Sequence, residues 1–321
     1  MRFVVVGAGF TGATIAERIA SIMRTEVLVV EKQRYVAGAA HDYIDDGIVV
    51  QAHGPHIFHT NSDKIWQYVT KFGRWRSFEY RVAASVEGKL IRLPFDFDGL
   101  AQVFPREHRT LERVLQDHYG KDARVLVTEL RKRFPDVGEF VYEKIFRGYS
   151  EKHWGMPLEE LPQSVTTREP FVVGRQSTDF TDKYQAIPVG GYRAIVTRML
   201  AHPRIKLELG TDYRDLKLPE GTPVVYTGSP DEFFGEGGAL PYRTVKFHVA
   251  KLTSLDFGVI SPWSKSHPYA TVNYPSPSDP YTRETDTCRI TGISPSTGGI
   301  FVTDFPGAHV PGETEPLYPL P

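Results

Sequence analysis

This 321-residue chain has one cysteine, no excess of basic residues and no long apolar run. Its one cysteine, Cys288, excludes an intramolecular disulfide and any metal site that needs several thiolates from one chain. With 38 basic and 39 acidic residues, the chain lacks the positive charge typical of nucleic-acid readers. It also lacks the run of about 20 apolar residues that crosses a bilayer. These absences indicate a reducing, cytoplasmic setting and no nucleic-acid or membrane partner.

The remaining composition, 40% hydrophobic and 24% charged, is that of an ordinary globular protein. At roughly 100–200 residues per domain, the length allows two or three domains. Met1 and Arg2 lead directly into the apolar run Phe3–Val6, without the longer apolar region and cleavage site of a signal peptide. We therefore expect no targeting segment.

The N-terminal residues follow the pattern strand, glycine turn, helix, strand. Phe3–Val6 and residues 27–30 are short apolar runs typical of buried parallel strands, and residues 11–23 place isoleucines at helical spacing. Further helices are predicted at residues 62–71, 110–134 and 190–200. Strands are predicted at Ile205–Leu209 and at residues 223–226, 244–252 and 270–274, and residues 306–321 are predicted to form a loop.

Gly7, Gly9 and Gly12 form G-x-G-x-x-G between the first strand and the first helix, and Glu31 follows at the end of the second strand. In a dinucleotide site, these glycines permit a tight turn, a close approach of the pyrophosphate and close helix packing, and the acid accepts the ribose hydroxyls. A carboxylate repels a 2′-phosphate, so the pattern favours FAD or NAD over NADP. The alternative is a helix start that simply needs small residues.

Seven motifs occur in an order that resembles the UDP-galactopyranose mutase family. They are residues 5–12 (VVGAGFTG), 54–60 (GPHIFHT), 147–155 (RGYSEKHWG), 161–162 (LP) with Ser164 and Arg168, 185–188 (QAIP) with Gly191 and Tyr192, 241–244 (PYRT), and 273–274 (NY) with 280–283 (PYTR). Members interconvert the pyranose and furanose forms of a nucleotide sugar. The resemblance implies reduced FAD as the cofactor, whose N5 forms an adduct with the anomeric carbon, and an isomerase acting on UDP-galactopyranose or a related hexose nucleotide.

The resemblance also implies an α/β fold, with a Rossmann-like FAD-binding domain, a helical insertion and a substrate domain built on a mixed or antiparallel sheet. We assign residues 1–62, together with about 188–235, to the FAD-binding domain. Residues 63–150 are expected to form a mostly helical insertion, and residues 151–187 and 236–321 the substrate domain. Family members are commonly dimers, so a homodimer is compatible with the resemblance.

By this resemblance, the cofactor is held by residues of the glycine turn, of the second strand and of the 54–60 motif: Gly7, Gly9, Phe10, Thr11, Gly12, Glu31, Lys32, Gly38, His56, Ile57 and His59. The spacing of His53, His56 and His59 at intervals of three also suggests a metal site. No carboxylate or cysteine pattern accompanies these histidines, so we expect no metal there. The resemblance places His56 and His59 beside the flavin, although either could instead be a core histidine.

The nucleotide sugar is expected to contact Tyr149, Trp154, Arg168, Arg283 and Tyr318. Tyr149 and Trp154 would be ordinary core aromatics by spacing alone, but the resemblance implies that they contact the uracil and the sugar. Arg168 and Arg283 would hold the diphosphate as forked, permanent cations, with Tyr318 nearby. The expected catalytic residues are therefore Arg168, Arg283 and His59.

Several positions depart from the family pattern. Residues 37–39 (AGA) replace Gly-Gly-Asn, Tyr80 replaces an asparagine, Val172 an arginine and Asp179 a tyrosine. The changes at residues 172 and 179 remove a cation and a hydroxyl and add negative charge, so they should weaken diphosphate binding and leave the sugar nucleotide open. The alternative functions are an FAD-dependent oxidase or desaturase, and a nucleotide-binding protein that has lost catalysis.

The chain ends at Pro321, soon after the 317–319 segment (LYP). Family members continue with a helix and a glycine- and arginine-rich segment that closes the nucleotide-binding domain. We therefore expect either that the natural protein is longer or that its FAD binding is impaired.

Overall fold

The computed structural model describes residues 3–162, 165, 170–235, 240–253, 267–293 and 298–320. The chain forms two compact units, and each is assembled from segments that are distant in sequence. The first unit comprises Met1–Phe78 and Asp182–Pro241. The second comprises Glu79–Thr181 and Tyr242–Pro321.

Helices and strands are numbered separately along the described chain. The helices are α1 (Phe10–Ile22), α2 (Asp63–Val69), α3 (Phe97–Val103), α4 (His108–Tyr119), α5 (Val127–Arg133), α6 (Pro135–Phe140), α7 (Gly148–Trp154), α8 (Gly191–Leu200), α9 (Pro230–Phe233) and α10 (Thr287–Thr291); a π-helix at Val141–Arg147 precedes α7. The strands are β1 (Phe3–Val6), β2 (Val27–Glu31), β3 (Asp42–Asp45), β4 (Ile48–Gln51), β5 (Phe58–Thr60), β6 (Trp75–Ser77), β7 (Val82–Val86), β8 (Lys89–Leu93), β9 (Arg124–Val125), β10 (Phe171–Val172), β11 (Tyr184–Pro188), β12 (Ile205–Leu209), β13 (Val224–Tyr226), β14 (Tyr242–Thr253), β15 (Thr271–Asn273), β16 (Arg283–Asp286), β17 (Gly298–Ala308) and β18 (Tyr318–Pro319).

A parallel sheet with strand order β12-β2-β1-β13 lies at the centre of the first unit. β2 is buried along its whole length, as expected for a parallel strand covered on both faces. The small side chains of Ala13 and Ala16 let α1 pack closely on one face, in a core that α8 also joins. Leu216 and Leu218 cover Val4 on the other face. Each large aliphatic side chain buried in this way contributes about 1.5–3 kcal/mol to folding.

The strands and helices predicted for this unit are confirmed. β1 and β12 have the predicted bounds, α1 begins and ends one residue earlier than predicted, and β2 ends one residue later. The helices predicted at residues 62–71 and 190–200 are α2 and α8, and the strand predicted at 223–226 is β13. The antiparallel sheet β5-β11-β6 and the hairpin β3-β4 also belong to this unit.

A mixed sheet with strand order β18-β14-β17-β16-β15-β7-β8 spans the second unit. β14 pairs antiparallel with the whole of β17, from Arg243 opposite Ala308 to Thr253 opposite Gly298. β15 runs parallel to β7, and the other neighbouring strands are antiparallel. The strand predicted at residues 244–252 is confirmed within β14, and the one predicted at 270–274 is confirmed as the shorter β15. Residues 63–150 are helical over much of their length but also supply β7 and β8 to this sheet.

Two predictions about local structure were wrong. The helix predicted over residues 110–134 is divided into α4 and α5, because Gly120 and Asp122 have φ values of 87° and 62°, which a right-handed helix cannot contain. The loop predicted over residues 306–321 contains the end of β17 and all of β18. Pro306 sits within β17 opposite Val245, so this proline does not end the strand. No helix in the described part of the chain is both long and apolar enough to cross a bilayer.

Candidate functional site

The glycine turn between β1 and α1 brings together several backbone segments of the first unit. Gly12 packs so closely that a Cβ atom on it would lie 1.9 Å from the carbonyl oxygen of Gly7. The Gly7 N–H donates to the carbonyl of Val30 at 2.8 Å, and the carbonyl of Ala8 accepts from the Ala37 N–H at 2.9 Å. The turn is therefore fixed to the end of β2 and to the segment that follows it.

The N-terminus of α1 is open for an anion. Gly9 is the N-cap residue, with φ −72° and ψ −178°, and no side chain in the described part of the chain caps this helix end. Since the first N–H groups of a helix have no acceptor within it, those that begin at Phe10 and Thr11 can donate to a phosphate. Among the described residues, a Cβ atom on Gly9 would have within 4 Å only the Cα of Gly38, at 3.8 Å, so a glycine here leaves room for a ligand rather than for a neighbouring side chain.

Glu31 closes β2 and is buried beside this turn, with 9% of its surface exposed. Its Oε2 accepts from the Ala8 N–H and its Oε1 from the Gln33 N–H, both at 2.8 Å. A carboxylate has about four acceptor positions, so two ribose hydroxyls can still bind. Lys32 is held differently, because its Nζ lies 2.8 Å from Glu232 in an exposed ion pair.

The histidine segment, residues 54–60, is joined to the start of α1 through Tyr192 of α8. The Tyr192 hydroxyl donates to the carbonyl of His56 at 2.9 Å, and its ring packs edge-on against Phe10 with centroids 5.7 Å apart. The His56 ring lies with Nδ1 3.0 Å from the carbonyl of Gly54, and the half-buried Ile57 follows. The structure therefore brings the 54–60 segment and the glycine turn together around one tyrosine.

His59 lies on β5, and Asp182 orients its ring. The two atoms His59 Nδ1 and Asp182 Oδ2 are 2.8 Å apart, and the amide of Asn61 donates to the other Asp182 oxygen at 2.6 Å. The His59 side chain is 40% exposed. A carboxylate at Nδ1 favours the tautomer with the proton on that nitrogen. Asp182 lies 123 residues away along the chain, so no local sequence pattern indicates it as a partner of His59.

These features fit a dinucleotide. The open backbone at Gly9 is suited to a pyrophosphate, the uncapped helix end supplies N–H donors, and Glu31 can accept ribose hydroxyls at the end of β2.

In the second unit, α7 presents two of the residues expected to bind the nucleotide sugar. His153 lies between them, with its ring parallel to Tyr149 at 6.2 Å and edge-on to Trp154 at 5.4 Å. Tyr318 of β18 meets His153 at 4.9 Å and Trp154 at 6.4 Å. Tyr149, Trp154 and Tyr318 therefore form one aromatic group, and His153, which the sequence analysis did not select, connects them.

Arg283 lies on β16 directly opposite Asp304 of β17, and its Nε donates to that carboxylate. Asp304 is 1% exposed, and the Arg283 side chain is 20% exposed. Burial works against the charge of Arg283, but the Asp304 carboxylate together with Tyr149, Tyr80 and Tyr318 raises the pKa of the guanidinium above its ordinary value. Arg283 is thus a permanent cation close to three tyrosines.

Arg243 fixes the position of α7. Its Nε and Nη2 donate to the carbonyls of His153 and Lys152, both at 3.1 Å. Arginine at this helix end satisfies carbonyls that have no partner within the helix and complements the helix dipole. Arg243 also pairs with Tyr318 across β14 and β18. Arg243 therefore contacts both α7, which carries Tyr149 and Trp154, and β18, which carries Tyr318.

Three of the positions that depart from the family pattern, Tyr80, Val172 and Asp179, also lie in the second unit. Tyr80 is 7% exposed, and its hydroxyl donates to Thr271 at 2.8 Å, while its ring stacks on Phe180 at 5.9 Å. Asp179 donates its N–H to the Tyr80 carbonyl at 2.8 Å. Val172 is buried in β10. The expected catalytic residue Arg168 lies outside the described residues.

Across the described segments, no three His, Cys, Asp or Glu side chains are grouped so that they could hold a metal ion.

Comparison with known proteins agrees with these features. The family model for UDP-galactopyranose mutase matches residues 144–321, and the model for an NAD(P)-binding Rossmann-like domain matches residues 5–72. The chain is 29% identical to a dTDP-fucopyranose mutase of Escherichia coli, over 99% of this chain and 85% of that protein. It is 30% identical to a probable UDP-galactopyranose mutase of Klebsiella pneumoniae, over 98% of this chain and 80% of that protein.

Among solved structures, a crystal structure of reduced UDP-galactopyranose mutase matches 95% of this chain and 74% of its own, with a TM-score of 0.70 and 13% identity. At that identity, the match shows the fold alone. It confirms the predicted α/β class with a Rossmann-like domain and mixed sheets. The chain belongs to the UDP-galactopyranose mutase family, a family of isomerases that are intramolecular transferases.

Proposed function

We propose that this protein is an FAD-dependent mutase that interconverts the pyranose and furanose forms of a nucleotide-linked hexose, either UDP-galactose or a related sugar. The proposal assigns FAD to the first unit and the nucleotide sugar to the second. The observation that carries it is Arg283, a mostly buried permanent cation among tyrosines, on a chain of the mutase family. A homodimer and a reducing cytoplasmic setting are parts of the same proposal.

FAD is the favoured dinucleotide for two reasons. The Glu31 carboxylate at the end of β2 would repel the negatively charged 2′-phosphate of NADP, so NADP is disfavoured. The histidine segment is joined to the glycine turn through Tyr192, and it carries residues that the resemblance places beside a flavin. Reduced FAD would supply a nucleophilic nitrogen for attack on the anomeric carbon of the sugar.

Arg283 would then act on the leaving diphosphate. As the glycosidic bond breaks, negative charge grows on the diphosphate oxygens, and a fixed guanidinium stabilises that charge without needing to reorganise. Arginine suits this role because its fork can donate two hydrogen bonds and it does not lose its proton. Asp304 holds Nε, so the fork is oriented before the substrate arrives.

The aromatic group would recognise the rest of the substrate. Tyr149 can stack on a planar base, and Trp154 can cover an apolar face of the sugar. Tyr318 can donate a hydroxyl hydrogen bond near the diphosphate. Arg168 is proposed as a second cation on the diphosphate and His59 as a neighbour of the flavin, oriented by Asp182.

The test is conversion of UDP-galactofuranose to UDP-galactopyranose by purified protein reconstituted with FAD and reduced with dithionite. dTDP-fucofuranose serves as a second substrate, because the proposal does not specify which sugar the protein converts. We expect turnover of one of them only when the flavin is reduced, with no net consumption of reductant. If reduced, FAD-loaded protein converts no nucleotide sugar, the proposal is wrong. Oxygen-dependent reoxidation coupled to loss of a substrate would instead indicate the oxidase alternative.

A further inference from the structure

Lys152 of α7 places its ammonium group among four backbone carbonyl oxygens. Nζ lies 2.5 Å from the carbonyl of Tyr274, 2.8 Å from those of Ser276 and Tyr281, and 3.1 Å from that of Asp279. We call these four carbonyls the carbonyl cage. All four belong to the turn at residues 274–281, which leads into β16.

The contacts resemble the shell of a bound cation more than an ordinary ion pair. The groups within hydrogen-bond distance are neutral carbonyl oxygens, and Asp279 contributes its backbone rather than its carboxylate. An ammonium has three donors, so at any moment at most three of the four oxygens receive a hydrogen bond. In K⁺ channels, rings of backbone carbonyl oxygens replace the hydration shell of the ion. Burial lowers the pKa of Lys152 to about 8, so the group is still mostly charged at pH 7.

The cage joins two segments that carry candidate substrate residues. Lys152 is three residues from Tyr149 and two from Trp154 on α7, whereas the turn reaches Arg283 two residues after Tyr281. At the same helix end, Arg243 holds the carbonyl of Lys152 itself. Lys152 therefore supplies a direct link between α7 and the turn before β16.

We propose that Lys152 is a positioning residue: its ammonium is the resident cation of the carbonyl cage, which fixes Tyr149 of α7 relative to Arg283 of β16. When the side chain is removed, the cage accepts K⁺ or NH₄⁺ in its place. The part that concerns nucleotide binding rests on the proposed function, whereas the cation part does not.

The experiment compares Lys152→Ala with wild type in choline chloride, LiCl, KCl and NH₄Cl at equal ionic strength. In choline chloride, we expect the variant to melt about 5–10 °C below wild type, because the partly buried carbonyls have lost their donor. KCl and NH₄Cl should restore most of this loss and LiCl little of it, since Li⁺ is too small to reach all four oxygens. UDP affinity, measured by titration calorimetry, should fall about tenfold in choline chloride and recover with K⁺.

Lys144→Ala is the matched control. Lys144 lies two turns earlier, on the π-helix, and pairs with Glu87 at 2.8 Å while 49% exposed. Its loss should give the same melting temperature and UDP affinity in all four salts. Lys152→Met is a second control: its apolar side chain fills the space, so the variant should be destabilised and K⁺ should not restore it.

Lys152→Ser covers the case in which Lys152→Ala does not fold. Its side chain is too short to fill the cage, so it leaves room for a cation and should show the same cation preference. Equal melting temperatures in choline and potassium salts for both variants would overturn the cation site. Recovery of the melting temperature without recovery of UDP affinity would overturn the positioning role and leave a structural one. If wild type binds no nucleotide, the proposed function fails, while the salt series still decides whether the cage holds a cation.

Discussion

Two alanine substitutions in the glycine turn separate cofactor binding from folding. Gly9→Ala adds a methyl group whose nearest neighbour, the Cα of Gly38, is 3.8 Å away, and the φ of −72° suits any residue. Gly12→Ala adds a methyl group 1.9 Å from the Gly7 carbonyl oxygen and 3.3 Å from Val5 Cγ1. The first fits the protein but occupies space that a bound pyrophosphate would need. The second cannot fit unless α1 moves away from β1.

The expected magnitudes follow from these distances. Gly9→Ala should change the free energy of unfolding of the FAD-free protein by less than about 1 kcal/mol, since it creates no clash. A methyl group at the N-cap pushes the phosphate out of reach of a helix N–H, and a hydrogen bond to a charged group is worth about 1.5–3 kcal/mol. FAD should therefore bind about 10–150 times more weakly. Gly12→Ala meets backbone atoms that cannot turn aside, so it should destabilise the FAD-free protein by about 3 kcal/mol.

The assay is FAD titration of the FAD-free protein, followed by flavin fluorescence, with urea unfolding of each variant without FAD. Gly9→Ala should unfold with the wild-type midpoint but bind FAD weakly, and Gly12→Ala should unfold at clearly lower urea. Wild-type FAD affinity in Gly9→Ala would refute the assignment of the pyrophosphate to this turn. Equal losses of stability in both variants would refute the packing argument.

Three further substitutions test charges in the two units. Arg283→Lys keeps the charge beside Asp304 but loses the fork, so UDP should bind about tenfold more weakly by calorimetry; unchanged affinity would argue against Arg283 as a diphosphate ligand. Burial raises the pKa of Asp42 to about 6 from an ordinary 3.8, so the folded protein favours the neutral acid. The free energy of unfolding should therefore fall by up to about 3 kcal/mol as the pH rises through this window. Urea unfolding from pH 4 to 7 should show this decline in wild type and not in Asp42→Asn, and parallel curves would contradict it. Glu17 is buried, yet hydrogen bonds from Arg18, Ser21 and Tyr68 lower its pKa to about 2, so its contribution is lost as the pH falls from 4.5 towards 2. Because Arg18 is 39% exposed, solvent weakens its ion pair with Glu17. In the same assay, Glu17→Gln should therefore reduce the acid-induced loss of unfolding free energy by only about 1–2 kcal/mol.

The central elements of the first unit could be predicted from the sequence because they depend on local patterns. The apolar runs of β1 and β2, the helical spacing of α1 and the glycine fingerprint each lie within a few residues. The division between α4 and α5 could not be predicted in this way. Gly120 and Asp122 have positive φ values, but single residues of these types also occur inside continuous helices.

The parts of the site that the sequence analysis missed are long-range partners. Asp304 meets Arg283 across adjacent strands, Asp182 meets His59 from 123 residues away, and Lys152 meets carbonyls 122–129 residues away. Aspartates and lysines are common on protein surfaces, so neither their identity nor their local spacing indicates such contacts. Pro306 similarly looks like a strand breaker until the register of β14 and β17 places it opposite Val245.

The strand order of the parallel sheet has a consequence for synthesis of the chain. β1 and β2 are complete by Glu31, but the strands on either side of them, β12 and β13, do not begin until Ile205 and Val224. At typical translation rates, the two inner strands wait roughly 10–35 s for the first of these neighbours. During this interval, both edges of an apolar strand pair are open to pairing with other chains, so nascent fragments that end before Ile205 should be those that most need chaperone protection.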